Sequence, residues 1–115
     1  MKPKNHISQV LIRIDGFRGE NVPEGFKRPC ESYPQMIVYE FPQAPCEFKK
    51  GLVHIERQLK KMTGTLQPFL RNKRCCLALN FLIEDADEGC IQFLQFPHKY
   101  LELFSKFHLD IEIQI

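Results

Sequence analysis

Cys75-Cys76-Leu77-Ala78-Leu79-Asn80-Phe81-Leu82-Ile83 is apolar at both alternating sets of positions, and so is Cys90-Ile91-Gln92-Phe93-Leu94-Gln95-Phe96. Successive side chains of an extended chain point to opposite faces, so a strand apolar on both is covered on at least part of each. These two segments are expected at the centre of a sheet. Glu84-Asp85-Ala86-Asp87-Glu88-Gly89 joins them as an acidic hairpin turn, with Gly89 available for a positive φ. Pro97 then opens a helix whose apolar face is Tyr100, Leu101, Phe104 and Phe107, closed by His108. The last segment, Leu109-Asp110-Ile111-Glu112-Ile113-Gln114-Ile115, alternates strictly, which predicts a strand with one buried and one wet face.

Working back from this block, His6 to Asp15 places Val10, Ile12 and Ile14 on one side and Leu11, Arg13 and Asp15 on the other. That is a first strand. Gln35 to Phe41 is a second, and the prolines on either side of it suit an edge position. Between the two, residues 16–34 form a long connection rich in Gly and Pro that also holds Phe17, Phe26 and Tyr33. Connections longer than about 12 residues are uncommon in compact domains and are often functional. The alternative is a surface loop pinned by its two phenylalanines.

Leu52, Ile55, Leu59, Met62, Leu66 and Phe69 step by three or four residues, lining one helical face, with Glu56, Arg57, Lys60 and Lys61 opposite. Gly64 and Pro68 disfavour a helix interior. A helix from about Gly51 to Thr63 is therefore expected to break, with Thr65 capping a short extension whose first turn holds Pro68. The predicted order is β-β-α-β-β-α-β. It describes one α+β domain over residues 1–115, a two-layer sandwich with a mostly antiparallel five-stranded sheet and two helices on one face.

Composition narrows the function more by exclusion than by assignment. One hundred and fifteen residues suffice for a single modest core, and ten Phe with no Trp predict one filled by aliphatics and Phe. No apolar run approaches the roughly 18 residues of a membrane helix, and no apolar segment follows the basic Met1–His6 as a secretion signal requires. A cytoplasmic location follows as the expectation. Five cysteines is an odd number, and adjacent Cys75 and Cys76 point to opposite faces of a strand, which favours reduced, buried thiols over a disulfide framework.

The Asp85–Gly89 turn superficially resembles a calcium loop, but Gly89 and Phe96 fall where carboxylate or carbonyl ligands are needed and strands replace the flanking helices. Cys30, Cys46, Cys75, Cys76 and Cys90 form no zinc-ligand pair. No local motif places a Cys beside a His as a nucleophile, although Cys30 and Cys46 lie in loops where thiols react. No cofactor, metal or catalytic group is assigned. Two surfaces remain. Lys49, Lys50, Arg57, Lys60, Lys61 and Arg71 to Arg74 could line a basic stripe on the main helix, a reading that points to nucleic acid. The net charge of +2 is too small to demand such a partner. Asp110, Glu112 and Gln114, with the acidic turn, suit a basic protein partner, whose association complementary charge accelerates.

From about Leu52 to Ile115 the chain resembles a group of small bacterial α+β domains encoded beside toxins. The likeness lies in the long helix, the hairpin, and Pro97-His98-Lys99-Tyr100-Leu101-Glu102-Leu103-Phe104 running directly into Leu109-Asp110-Ile111-Glu112-Ile113. Residues 16–34 have no counterpart in that pattern. The resemblance implies a non-enzymatic, immunity-type role, such as serves contact-dependent inhibition, in which the protein binds a toxin domain and blocks its active site. It carries over no binding residue. From the residues themselves, contact is expected at Phe17, Arg18, Glu20, Glu24, Phe26 and Tyr33 of the long connection and at Glu84, Asp85, Asp87 and Glu88 of the acidic turn. A nucleic-acid-associated regulatory module using the basic helix is the alternative expectation.

Overall fold

The computed structural model describes residues 5–19, 21–42, 47–85 and 95–114. In chain order its elements are β1 (Asn5–Asp15), β2 (Phe26–Lys27), β3 (Ile37–Glu40), α1 (Phe48–Lys61), α2 (Thr63–Arg71), β4 (Cys76–Asp85), α3 (His98–Lys106) and β5 (Leu109–Gln114). The five strands form one open sheet in the order β2-β3-β1-β4-β5. Three pairings are antiparallel and β4 with β5 is parallel. Parallel neighbours need a crossover between them, and α3 lies in that connection.

The α+β class and the mostly antiparallel five-stranded sheet match the expectation; the element order and helix count do not. The observed order is β-β-β-α-α-β-α-β, with three helices. The additional strand, β2, comes from the connection read as irregular, where Gly25 at φ 86° turns the chain and the Phe26 N–H donates to the Pro23 carbonyl. By pairing with β3 it moves that strand off the edge, so the edge position expected of Gln35 to Phe41 is corrected. The strand expected over Cys90 to Phe96 falls mostly outside the described residues, and Gln95 and Phe96 are not in a strand.

β1 shows how the core face is set. Val10, Ile12 and Ile14 are buried as the alternation requires, yet Ile7, of the other parity, is buried too. The register with β4 slips between Ile7 and Gln9, making Ser8 an extra residue, and its Oγ donates to the Leu82 carbonyl. One inserted residue reverses the facing of everything before it, so the bulge brings Ile7 back to the core side. Gly51 of α1 rests on that side chain, and a Cβ there would have to displace the end of Ile7, whose Cδ1 lies 2.5 Å from its position.

α1 buries Leu52, Ile55 and Leu59 as the three-and-four spacing predicts. The break falls at Met62, and α2 starts at Thr63 rather than being capped by Thr65. The Thr63 hydroxyl bonds back to the Lys60 and Leu59 carbonyls. Pro68 consequently lies in the second turn of α2, not the first, leaving the Gly64 carbonyl without its helical donor. In α3, Tyr100, Phe104 and Phe107 are buried as expected, but Leu101 is 43% exposed and Leu103 packs toward the core in its place. His108 ends the helix at φ 53°, a left-handed conformation that its N–H bond to the Ser105 carbonyl supports.

The core lies between the helices and one face of the sheet. Phe81 and Phe104 are fully buried, and Phe96 stacks edge-on to Phe48, Phe81 and Phe104 with centroids 5.1–6.4 Å apart. This is the Phe-filled core that composition predicted. The cysteines depart from expectation. Cys75 is half-buried and Cys76, on the other face of the sheet, is exposed.

The open sheet face as candidate functional site

The other face of the sheet carries no helix among the described residues. Cross-strand register assigns its side chains directly: Leu11 lies between Glu40 and Asn80, and Asn80 is followed by Glu112. Arg13 lies between Val38 and Ala78, and Ala78 is followed by Asp110. Gln9 neighbours Leu82 and then Gln114. Strand alternation alone places all of them together, as residues of one parity on four adjacent strands.

At its centre is a charged network. Arg13 bonds through both Nη atoms to both oxygens of Glu112, with the Nη2–Oε2 distance 2.7 Å, while its Nε donates to Asp15 Oδ2 at 2.9 Å. Asn80, buried at 8% exposure, donates through Nδ2 to Glu112 Oε1 at 3.3 Å. Such a fork-to-fork pair fixes both side chains as well as attracting them. The Arg13 hydrogen bonds hold the Glu112 carboxyl below the usual carboxylate range, with Asn80 assisting and burial opposing. Arg13 is itself raised by the same bonds.

Arg13 of this network also lines a groove of about 330 Å³, with Leu11, Met36 and Val38 supplying apolar lining and Gln9, Glu40, Lys27, Asn80 and Gln114 supplying further polar groups. Gln9 Nε2 donates to Glu40 Oε1 at 2.9 Å, closing one side. Lys27 and Pro29 belong to the long connection, so part of that segment forms a wall of the groove. Among the described strand residues of this face, Asp15, Glu40, Asp110 and Glu112 outnumber Arg13 and Lys27.

The expected contact residues are distributed unevenly about this face. Phe26 is buried, tilted against Phe69 and Tyr39, and works as core. Phe17 is half-buried, 5.9 Å from Phe69. Arg18 and Glu24 are exposed, and Tyr33 projects with 55% of its surface open beside a shallow concavity shared with Ser32, Pro34 and Gln35. Glu84 and Asp85 end β4, paired through the backbone with His6 and Asn5. Glu20, Asp87 and Glu88 lie outside the described residues. The long connection is braced from within. Arg28 donates through Nη2 to the Gly19 carbonyl at 2.7 Å and through Nε to the Pro34 carbonyl at 3.0 Å, and its guanidinium sits 5.6 Å over the Phe17 ring.

The groove was not foreseen from the sequence, although its parity signal was present. Alternation in the sequence puts Leu11, Arg13 and Asp15 together on the side of β1 opposite Val10, Ile12 and Ile14, and Asp110, Glu112 and Gln114 on the wet face of β5. What was missing was the strand order that makes these two sets neighbours across β4. Among the described residues, no group of three or more His, Cys, Asp or Glu is placed to hold a metal ion, and no helix is long and apolar enough to cross a membrane. No protein family matches the chain, and neither a curated protein nor a solved structure does so.

Proposed function

We propose that the chain is a non-enzymatic protein-binding module that docks a basic partner on the open face of its sheet, and that the partner is a bacterial toxin domain it neutralises. The observation that carries the docking reading is the sheet face that bears no helix among the described residues, where a partly apolar groove lined by Arg13, Lys27 and Glu40 adjoins the carboxylates of Asp15, Asp110 and Glu112. Protein interfaces pair a desolvated apolar centre with a polar rim, and both kinds of surface occur here within one patch. Carboxylates around the groove favour a cationic partner surface and steer its approach. The Arg13–Glu112 fork holds the rim in place before binding, which lowers the ordering cost of association. Lys27 and Pro29 of the long connection form one wall of the groove. The toxin-neutralising role rests on the resemblance of the helix–hairpin–helix–strand block to immunity-type domains.

Co-expression with the product of the adjacent gene tests this reading. A stoichiometric complex in which that product loses its toxic activity is the expected result. Separate elution of the two proteins with toxicity intact would overturn it.

A further inference from the structure

Charge is segregated along this chain. Residues 47–74 hold eight of its sixteen Lys and Arg but two of its fourteen Asp and Glu, a net +6 within a molecule of net +2. Five of these cations, Lys49, Lys50, Arg57, Lys60 and Lys61, are exposed on α1. At 3.6 residues per turn they fall within about 120° of the helix circumference, opposite buried Leu52, Ile55 and Leu59. Lys50 pairs with Glu47 at 3.7 Å and Lys60 with Glu56 at 3.3 Å. Lys49, Arg57 and Lys61 have no ion pair among the described residues.

We propose that the outer face of α1 binds the phosphate backbone of nucleic acid, separately from the protein-docking face. Charge complementarity names a polyanion, and the remaining chemistry of the strip decides which one. A helix that lies on an anionic membrane inserts an apolar face, but the apolar face of α1 is spent on the core and its outer side offers only Val53, 39% exposed. An acidic protein partner would need apolar or aromatic anchors, and Val53 is the single candidate. Nucleic-acid interfaces are more polar and far more positively charged than protein interfaces, which is the composition of this strip. Backbone phosphates carry no sequence information, so binding by this strip through phosphates is indifferent to sequence. Single and double strands share the chemistry and differ in the salt slope expected for a given number of contacts.

The test uses the full chain with a fluorescein-labelled duplex DNA and a labelled single-stranded RNA, each of about 20 residues, followed by anisotropy. Counterion release by about four contacts gives a duplex slope of roughly −3.6 in log K against log salt, a loss of about a hundredfold between about 50 and about 200 mM KCl. The RNA slope is shallower, roughly −2.8. Arg57→Glu with Lys61→Glu weakens binding at least about tenfold, whereas Lys99→Glu with Lys106→Glu on α3, an equal change in net charge, leaves it within about twofold. Both pairs are solvent-exposed, and circular dichroism checks that each variant stays folded. Absence of binding to either probe at low salt would overturn the proposal. So would equal losses in the two variants, or a preference for phosphatidylserine vesicles over both nucleic acids.

Discussion

Glu112→Gln separates the central network of the open face from ordinary surface charge. The substitution keeps the side chain's shape but turns one of its two acceptors into a donor. The new amide nitrogen faces donors whichever way it turns: Arg13 Nη1 and Asn80 Nδ2 on one side, Arg13 Nη2 on the other. The Arg13 and Glu112 side chains are 30% and 35% exposed. Fully exposed pairs contribute about 0.2–1 kcal/mol, and removing one partner from a fully buried pair costs about 3–5 kcal/mol. Solvent access places this pair near the lower range, so the loss at neutral pH is about 1–1.5 kcal/mol. That corresponds to a fall of roughly 4–6 °C in Tm for a chain of this size. The pH dependence is the sharper signature. The folded state holds the Glu112 carboxyl below its ordinary value, so the stability it contributes is fully present above the unfolded pKa of about 4.3 and is lost as pH falls through the lower folded value. Urea unfolding of both proteins from pH 7 down to pH 3 should therefore show a gap that is full at pH 7 and narrows below about pH 4. A gap that stays constant across that range, or is absent at pH 7, would refute the reasoning.

Other perturbations address the parts that support the site. Phe81→Ala removes a fully buried ring from the centre of the core and should cost about 3–5 kcal/mol in chemical denaturation. Gly16→Ala introduces a Cβ against the Arg74 carbonyl at a φ of +87° and should destabilise by well over about 1 kcal/mol, read as a lower urea midpoint. Arg28→Ala releases the Gly19 and Pro34 carbonyls and should speed amide exchange and proteolysis within residues 17–35 while changing global stability by less than about 1.5 kcal/mol. Among three thiols, maleimide labelling mapped by mass spectrometry should find Cys75 slower than Cys76 and Cys30. Burial pushes the Cys75 thiol up, whereas a hydrogen bond with the Ser32 hydroxyl lowers Cys30.

The parts of the fold visible in the sequence were those governed by local period. β1, α1, α3 and β5 follow from residues that repeat every two or every three to four positions, and their buried sets are largely those the spacing names, except that Leu101 and Ile113 are exposed and Ile7 is buried against the parity of β1. Non-local pairing was not readable. The two residues of β2 are too few to alternate, and they become a strand only because β3 lies alongside. The Ser8 bulge is invisible until β4 supplies a register. The parallel pairing of β5 with β4 depends on how the intervening chain crosses the sheet, which no periodicity encodes. For the same reason the candidate site was legible only in fragments. Arg13 and Glu112 are ninety-nine positions apart, and neither carries a motif. Phe26 of the connection 16–34 is core, which was not readable because a phenylalanine in a long connection has the same composition signal whether it docks inward or outward.

The most direct test of protein docking on the open face is calorimetry with the purified product of the adjacent gene. The comparison is between the native chain and a variant carrying Leu11→Lys, Asp110→Lys and Gln114→Lys, all on that face and none in the Arg13–Glu112 bonds. Lys at position 11 blocks the apolar groove, and reversing charge on β5 repels a cationic partner. The account predicts tight one-to-one binding by the native chain and at least about a hundredfold loss in the variant, with circular dichroism unchanged. Equal affinity of the two proteins, or no binding by the native chain, would contradict it.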